Sequence, residues 1–347
     1  MLNENKVFAD TITTQFDQYV SGGQDGAEEV NSSSMPPRAK RVSVPGLFHG
    51  KELNVLHLPS KAILVIEGSV IGYNQGHNVF GSCNVPALVR DAFKAAHRKR
   101  RVAFSAEEKR QIENEEHLTL KRLDVGVNLE VPEGVTPTRL LVELAHELID
   151  KGIDTSTYGY GETVYRNQHS QGSSQKFYDK AKQLIDTKSL PADLPNREAI
   201  LDFAKTVIRS EVVLRYPKLK AMDMTKPRDC TFQTLKAELE SAFNRLNLRG
   251  SVRAGLSGLD LRDVKHMYRT TYRCWENGDD LTLLLEPKAY KRQVAYFAEE
   301  LGFDITTPPP ESNGDLVQLG DVFTLTNAVA PPPELWNGED DAECALA

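Results

Sequence analysis

The sequence is short of cysteine, of long apolar runs and of overall positive charge, and each shortage removes a class of protein. Four of its 347 residues are cysteine (Cys83, Cys230, Cys274 and Cys344), and no two stand in a C-x-x-C spacing. That argues against a thiolate zinc module and a disulfide scaffold, and fits a reducing compartment. No run of eighteen apolar residues is present, so no membrane-spanning helix is expected. The amino-terminal MLNENKVFADTITTQFD is polar and acidic, unlike the basic-then-apolar pattern of a secretory leader. What is there, 40% hydrophobic and 26% charged residues, is enough to build a globular core and long enough for two domains.

A net charge of -7 runs against nucleic-acid binding, but its distribution matters more than its sum. Residues 1–35 and 331–347 carry -5 each, which leaves +3 for residues 36–330. Within that middle lies KAAHRKRRVAF, residues 94–104, with Lys94, Arg98, Lys99, Arg100 and Arg101. Such a run is either a solvated helix end or a phosphate-contacting patch.

Along the chain, KVFADTITTQFD reads as strand, and SGGQDGAEEVNSSSMPPR as a loop or disordered insertion over 20–37. KRVSVPGLF, ELNVLHL and AILVIEGSVI are short strands. NVPALVRDAFKAAHRKRR is a helix capped by Asn84, and TPTRLLVELAHELIDKG a helix with a Thr-Pro start and a Gly stop. ETVYRN and QKFYDK read as a hairpin, and PNREAILDFAKTVIRSEVVLRY as a helix running into a strand. From 221 onward, amphipathic helical patterns dominate. The expected fold class is α+β, an antiparallel sheet with helices on one face plus a carboxy-terminal helical segment. The expected domains are 1–220, helical 221–307, and a Pro-rich acidic tail over 308–347.

Alternation supplies the chemistry. In KRLDVGVNLEV, Leu123, Val125, Val127, Leu129 and Val131 share one face, and Arg122, Asp124, Gly126, Asn128 and Glu130 the other. In TVIRSEVVLRY, Arg209 and Glu211 repeat the Arg-x-acid spacing; in QKFYDK, Lys176, Tyr178 and Lys180 face one way. If these strands are neighbours, the polar groups converge. Asp124 and Glu211 suit a hard cation such as Mg²⁺ or Mn²⁺. Tyr178 can attack a phosphodiester once activated, and Lys180 can stabilise the phenolate or the phosphorane. Arg122 and Arg209 either clamp phosphate or neutralise the acids beside them. A plain alternative is three exposed strand faces laced with cross-strand ion pairs. A fourth piece, YNQGHNVFGSCN (73–84), brackets His77 and Asn78 between Gly76 and Gly81; it offers His77 as a metal ligand or forms a structural turn.

Taken in order, QGHNVFG (75–81), RLDVGV (122–127), TVYRN with FYDKAKQL (163–167 and 177–184) and VIRSEVVLRYPK (207–218) resemble the gene II replication initiators of filamentous bacteriophages. These are rolling-circle endonucleases. Residues 265–303 resemble the family's carboxy-terminal helical part, which overlaps the gene X protein; the acidic tail has no counterpart. The resemblance implies a sheet of the rolling-circle-initiator (HUH-like) type, although a two-histidine HUH motif is not evident. It implies that Tyr178 is the nucleophile, assisted by Lys180, with Tyr165 as rival. Attack at the plus-strand origin would leave a 5′-phosphotyrosyl link and a 3′-OH, followed by strand joining. His77, Asp124 and Glu211 would supply the metal site for Mg²⁺ or Mn²⁺. Arg122, Arg209, Asn78, Arg98, Lys99, Arg100 and Arg101 would contact DNA, and Tyr158 and Tyr160 would line it or simply form a loop. The implied partners are single- and double-stranded origin DNA, a host helicase and a host polymerase, in the cytoplasm of a bacterial host, with no membrane and with self-association open. Two other readings stay in view: a catalytically silent origin-binding regulator and a plasmid relaxase-type nickase.

Overall fold

The computed structural model describes residues 2–20, 39–159, 162–253, 264–276, 279–302, 304–307 and 316–335. The 20–37 insertion (save Val20), Tyr160, Cys344 and the end of the acidic tail fall outside them. Alternating sequences pair as alternation requires. Strands β1 (Val7–Asp17), β2 (Lys40–Pro45), β3 (Glu52–Leu58), β4 (Ile63–Ser69), β5 (Leu118–Glu130), β6 (Thr155–Tyr158), β7 (Thr163–Arg166), β8 (Ser173–Asp179) and β9 (Val207–Arg215) lie in the order β2-β3-β4-β1-β5-β9-β8-β7-β6. Every pairing is antiparallel. β10 (Ser251–Arg253) and β11 (Leu316–Gln318) form a separate pair, and β12 (Ala328–Val329) joins the end of β5. This is the expected α+β antiparallel fold.

Among the described residues the helices are α1 (Val70–Gln75), α2 (Val85–Arg98), α3 (Ala106–Glu113), α4 (Pro137–Asp150), α5 (Lys180–Asp186), α6 (Arg197–Lys205), α7 (Tyr216–Ala221), α8 (Phe232–Asn244), α9 (Arg269–Glu276), α10 (Leu281–Leu284), α11 (Pro287–Leu301) and α12 (Leu319–Val322). Asn84 caps α2 by accepting from the Ala87 amide at 3.1 Å, as its Asn-x-Pro start predicts. Leu123, Val125, Val127 and Leu129 turn to the main core. α2 covers that face where Phe93 meets Phe16 edge-on at 6.2 Å, and α8 where Phe243 meets Phe177 at 6.0 Å. The sheet's other face is capped over one half by a smaller core, in which Val79 and Phe80 pack with Leu184 of α5 and Ile200 and Ala204 of α6.

The boundaries expected at 221 and 308 differ from the packing. Leu235, Leu239, Ala242 and Phe243 of α8 belong to the main core, so the sheet unit continues past 221. Helices α9 to α11 have their own core around Tyr272, Trp275, Tyr296 and Phe297. In the stretch read as tail, Leu319, Val322, Phe323 and Leu325 return to the main core, and Leu335 enters the cap. The flanking proline triplets and the acidic end hid this segment, whose apolar residues follow neither a helical nor a strand period.

Candidate active site

Register brings the predicted strand motifs together. Asp124, Gly126 and Asn128 of β5 stand opposite Val213, Glu211 and Arg209 of β9, and Lys176 and Tyr178 of β8 stand opposite Glu211 and Arg209. On this shared face the Tyr178 hydroxyl donates to Glu211 Oε1 at 2.5 Å, and Lys176 Nζ lies 2.5 Å from Glu211 Oε2. Burial, and then the Glu211 charge, push the Tyr178 phenol well above its ordinary value. Burial alone would raise Glu211, but Lys176 and Arg209 overcome it and hold the carboxyl at about 2.

Y-x-K is not a strand alternation. β8 ends at Asp179, whose Oδ1 caps α5 by accepting from the Lys182 amide at 2.9 Å, and Lys180 opens the helix. The turn carries Lys180 inward: it is fully buried and donates to Asn78 Oδ1 and Gln183 Oε1, both at 2.9 Å. Burial and then Arg209 lower it to about 7, against the pull of Asp10 and Glu211.

Arg209, expected on DNA, is completely buried and held by protein. Its Nε donates to Asn128 Oδ1 at 2.9 Å, its Nη2 to the Asn78 and Val79 carbonyls at 2.8 and 2.5 Å, and its guanidinium stacks 4.2 Å above the Phe8 ring. Among the described residues Nη1 has no hydrogen-bond partner, yet it lies 3.5 Å from Glu211 Oε1 and 4.0 Å from Asp10 Oδ2. Phe8 rests on Gly126, where any Cβ would come within 2.4 Å of the ring. So Gly126 carries Phe8, and Phe8 carries Arg209.

Asp10 was missed in the sequence. β1 slips register between Ala9 and Ile12, so Asp10 and Thr11 together face Asp124. Such a bulge re-aims a side chain. Both carboxylate oxygens of Asp10 accept from the Asn78 amide at 3.0 Å, and Oδ1 also accepts from the Ser69 hydroxyl at 2.9 Å. Burial, then Glu211, raise its pKa. The signal was a lone acid in an otherwise apolar-and-threonine strand, VFADTITT.

The expected metal trio does not assemble. Among the described residues no three His, Cys, Asp or Glu side chains gather in a metal-binding group. Arg122 closes both oxygens of Asp124 at 2.7 Å, and Tyr178 and Lys176 take those of Glu211. Nδ1 of His77 accepts from the Val79 amide at 3.3 Å, and the ring packs on Phe80. Burial and the cations of Lys180, Lys51 and Arg209 push His77 down to about 3. A hard cation needs free oxygen ligands. Here Asp10, Asp124 and Glu211 face the cationic side chains of Arg122, Lys176, Lys180 and Arg209, so the arrangement does not fit one and no step is derived through it.

Two other expectations change. The basic run ends α2, on the layer that covers the apolar face, so Arg98, Lys99, Arg100 and Arg101 stand on the side away from Tyr178. Tyr165 is the cross-strand neighbour of Lys176, but its ring packs against Tyr158, with centroids 5.6 Å apart, and among the described residues no carboxylate accepts from its hydroxyl.

A family model for the amino-terminal part of a phage replication-associated protein, the gene II protein, matches residues 24–234. The class is therefore that of rolling-circle replication initiators, which are nicking enzymes. The chain belongs to the gene II family of phage replication-associated proteins. Among solved structures, the rolling circle replication initiator protein from Geobacillus stearothermophilus is 13% identical, with 70% of this chain and 84% of that one aligned at a TM-score of 0.30. At that similarity it bears on no residue of the site. No curated protein matches the sequence. Among the described residues, no helix is long and apolar enough to cross a membrane.

Proposed function

We propose that this chain nicks the plus-strand origin of its phage by transesterification on Tyr178. The Tyr178–Glu211 hydrogen bond carries the reading: it is a buried phenol already aimed at an anion and ringed by cations. The phenol is too weak an acid to ionise in advance, so the proton passes to Glu211 as the Tyr178 oxygen bonds phosphorus. Lys176 and the unpartnered Nη1 of Arg209 stabilise the charge on the phosphoryl oxygens. The P–O3′ bond breaks, and Lys180 as ammonium gives its proton to the leaving 3′-oxygen. The products are a 5′-phosphotyrosyl adduct and a 3′-OH. With Lys180 near 7, its neutral form can take the proton back, so the same residue serves strand joining. The 3′-OH is a primer for a host polymerase, with a host helicase displacing the old strand.

The test is nicking of a supercoiled plasmid carrying the cognate origin, scored for protein–DNA adduct, with Mg²⁺, Mn²⁺ or EDTA. Wild type yields an adduct, Tyr178→Phe none, and Tyr165→Phe retains it. Adduct in Tyr178→Phe moves the nucleophile elsewhere. Origin binding with no adduct under any condition makes the chain a silent regulator. The EDTA arm reads separately whether a cation takes part.

A further inference from the structure

The cap made by the 76–83 loop, α5 and α6 lies over the Arg209 end of the polar face. Beyond it, register continues across strands from Glu211 to Lys176 of β8, then Tyr165 of β7, then Ser156 of β6. Tyr158 lies two residues along β6 from Ser156, so its side chain shares that face, and its ring meets the Tyr165 ring at 82°. Tyr158 is 52% exposed, although a tyrosine ring of that size is ordinarily covered. Its hydroxyl donates to Gln168 Oε1 at 3.0 Å, which fixes the ring on the surface. α4 packs on these strands from the opposite side, through the apolar face that carries Val164 and Phe177.

Two same-face rows further along β9 from Glu211, Arg122 stands opposite Arg215. Arg215 donates from Nη1 to Ser174 Oγ at 3.2 Å and from Nη2 to the Gln168 carbonyl at 3.5 Å. It pairs with no carboxylate among the described residues, so its charge is unspent, unlike those of Arg122, Lys176 and Arg209. The same Gln168 thus touches both Tyr158 and Arg215.

We propose that Tyr158 and Tyr165 form a stacking platform for an unpaired base of the strand being cut, with Arg215 on an adjacent phosphate. The ligand is single-stranded DNA next to the scissile bond. Neighbouring strands lie about 5 Å apart, so a base on Tyr165 sits one or two nucleotides from the phosphate at Tyr178. Edge-to-face tyrosines present a π-face to any base, so the platform is sequence-tolerant. It requires the origin to be locally unpaired at the nick, because a duplex base offers no free face. This rests on the nicking reading for its location, though not for its chemistry.

The test uses the full chain and a fluorescein-labelled 20-nucleotide oligothymidylate, with a mixed-sequence duplex of the same length as control. Tyr158→Ala and Tyr165→Ala should each weaken single-strand binding roughly five- to hundredfold, the range for loss of one stacked base. Tyr158→Phe and Tyr165→Phe should restore it, and duplex binding should stay within about twofold. The salt dependence of oligothymidylate binding should keep its slope in the tyrosine variants and lose about 0.7 in Arg215→Ala. Equal single-strand binding by wild type and both alanine variants overturns the platform, as does a Phe variant as weak as Ala, which would assign the role to the hydroxyl. Melting temperatures matched to wild type exclude misfolding. Adduct formation is scored on the same preparations: adduct without stacking sinks only the platform, and stacking without adduct sinks only the nickase.

Discussion

Substituting Gly126 by alanine tests the chain of supports under the site, because a single methyl group meets a single ring. An alanine Cβ would lie 2.4 and 2.6 Å from two carbons of Phe8, about 1 Å inside normal contact. Phe8 is 1% exposed and cannot swing into solvent. Overpacking of this kind costs about 1–3 kcal/mol. Moving Phe8 also lifts it from Arg209, a desolvated cation–π contact worth about 2 kcal/mol. At about 2–4 °C per kcal/mol for domains of 150–250 residues, the overpacking cost alone lowers the melting temperature by roughly 2–12 °C. Arg209 then loses its alignment with Glu211, and adduct formation falls more than stability does. Thermal denaturation and the adduct assay read the two effects separately. Phe8→Leu makes room, so the double variant should be less destabilised than the sum of the two singles, by about 0.5–3 kcal/mol. Unchanged melting and unchanged adduct yield in Gly126→Ala would refute the support chain.

Glu211→Gln leaves the fully buried Arg209 and the half-buried Lys176 without their anion and should cost about 3–5 kcal/mol near neutral pH, read by chemical denaturation. Because Glu211 is held at about 2 when folded, its contribution is present above its ordinary 4.5 and is lost as pH falls toward 2; the gap between wild type and variant should close over that window. Cleavage needs the Lys180 ammonium, so its single-turnover rate should fall as pH rises through about 7, and Lys180→Arg should move that limb upward; a flat wild-type profile from pH 6 to 9 would remove Lys180 as the acid. Lys180 also affects stability, which rises with pH where the cleavage rate falls. Its folded value is depressed below 10.5, so the unfolded chain binds more protons between 7 and 10.5, and wild type should gain stability over Lys180→Met across that range. Ending the chain at 315 removes Leu319, Val322, Phe323 and Leu325 from the core, each worth about 1.5–3 kcal/mol. Melting should drop steeply, and an unchanged transition would mean that the segment is not part of the folded unit.

The sequence by itself determined the strands, their inner and outer faces, and the Asp124, Tyr178 and Glu211 positions. These follow from a period of two, which is local and survives any pairing. Its unbroken motifs also determined the family. Tertiary structure decided everything that depends on register and on chain segments meeting. Only the pairing of β8 with β9 sets Tyr178 against Glu211, and only the slip in β1 turns Asp10 toward the site. The 76–83 loop was legible as a special turn, but its task was not. It spends Asn78 on Asp10 and Lys180, lends two carbonyls to Arg209, and leaves His77 neutral among cations. Residue types signalled a metal trio; the positions of four buried or half-buried cations made an ion-paired site instead. Charge type is written in the sequence, but charge compensation depends on distances of a few ångströms between segments as far apart as Asp10 and Glu211, and only the folded chain fixes those.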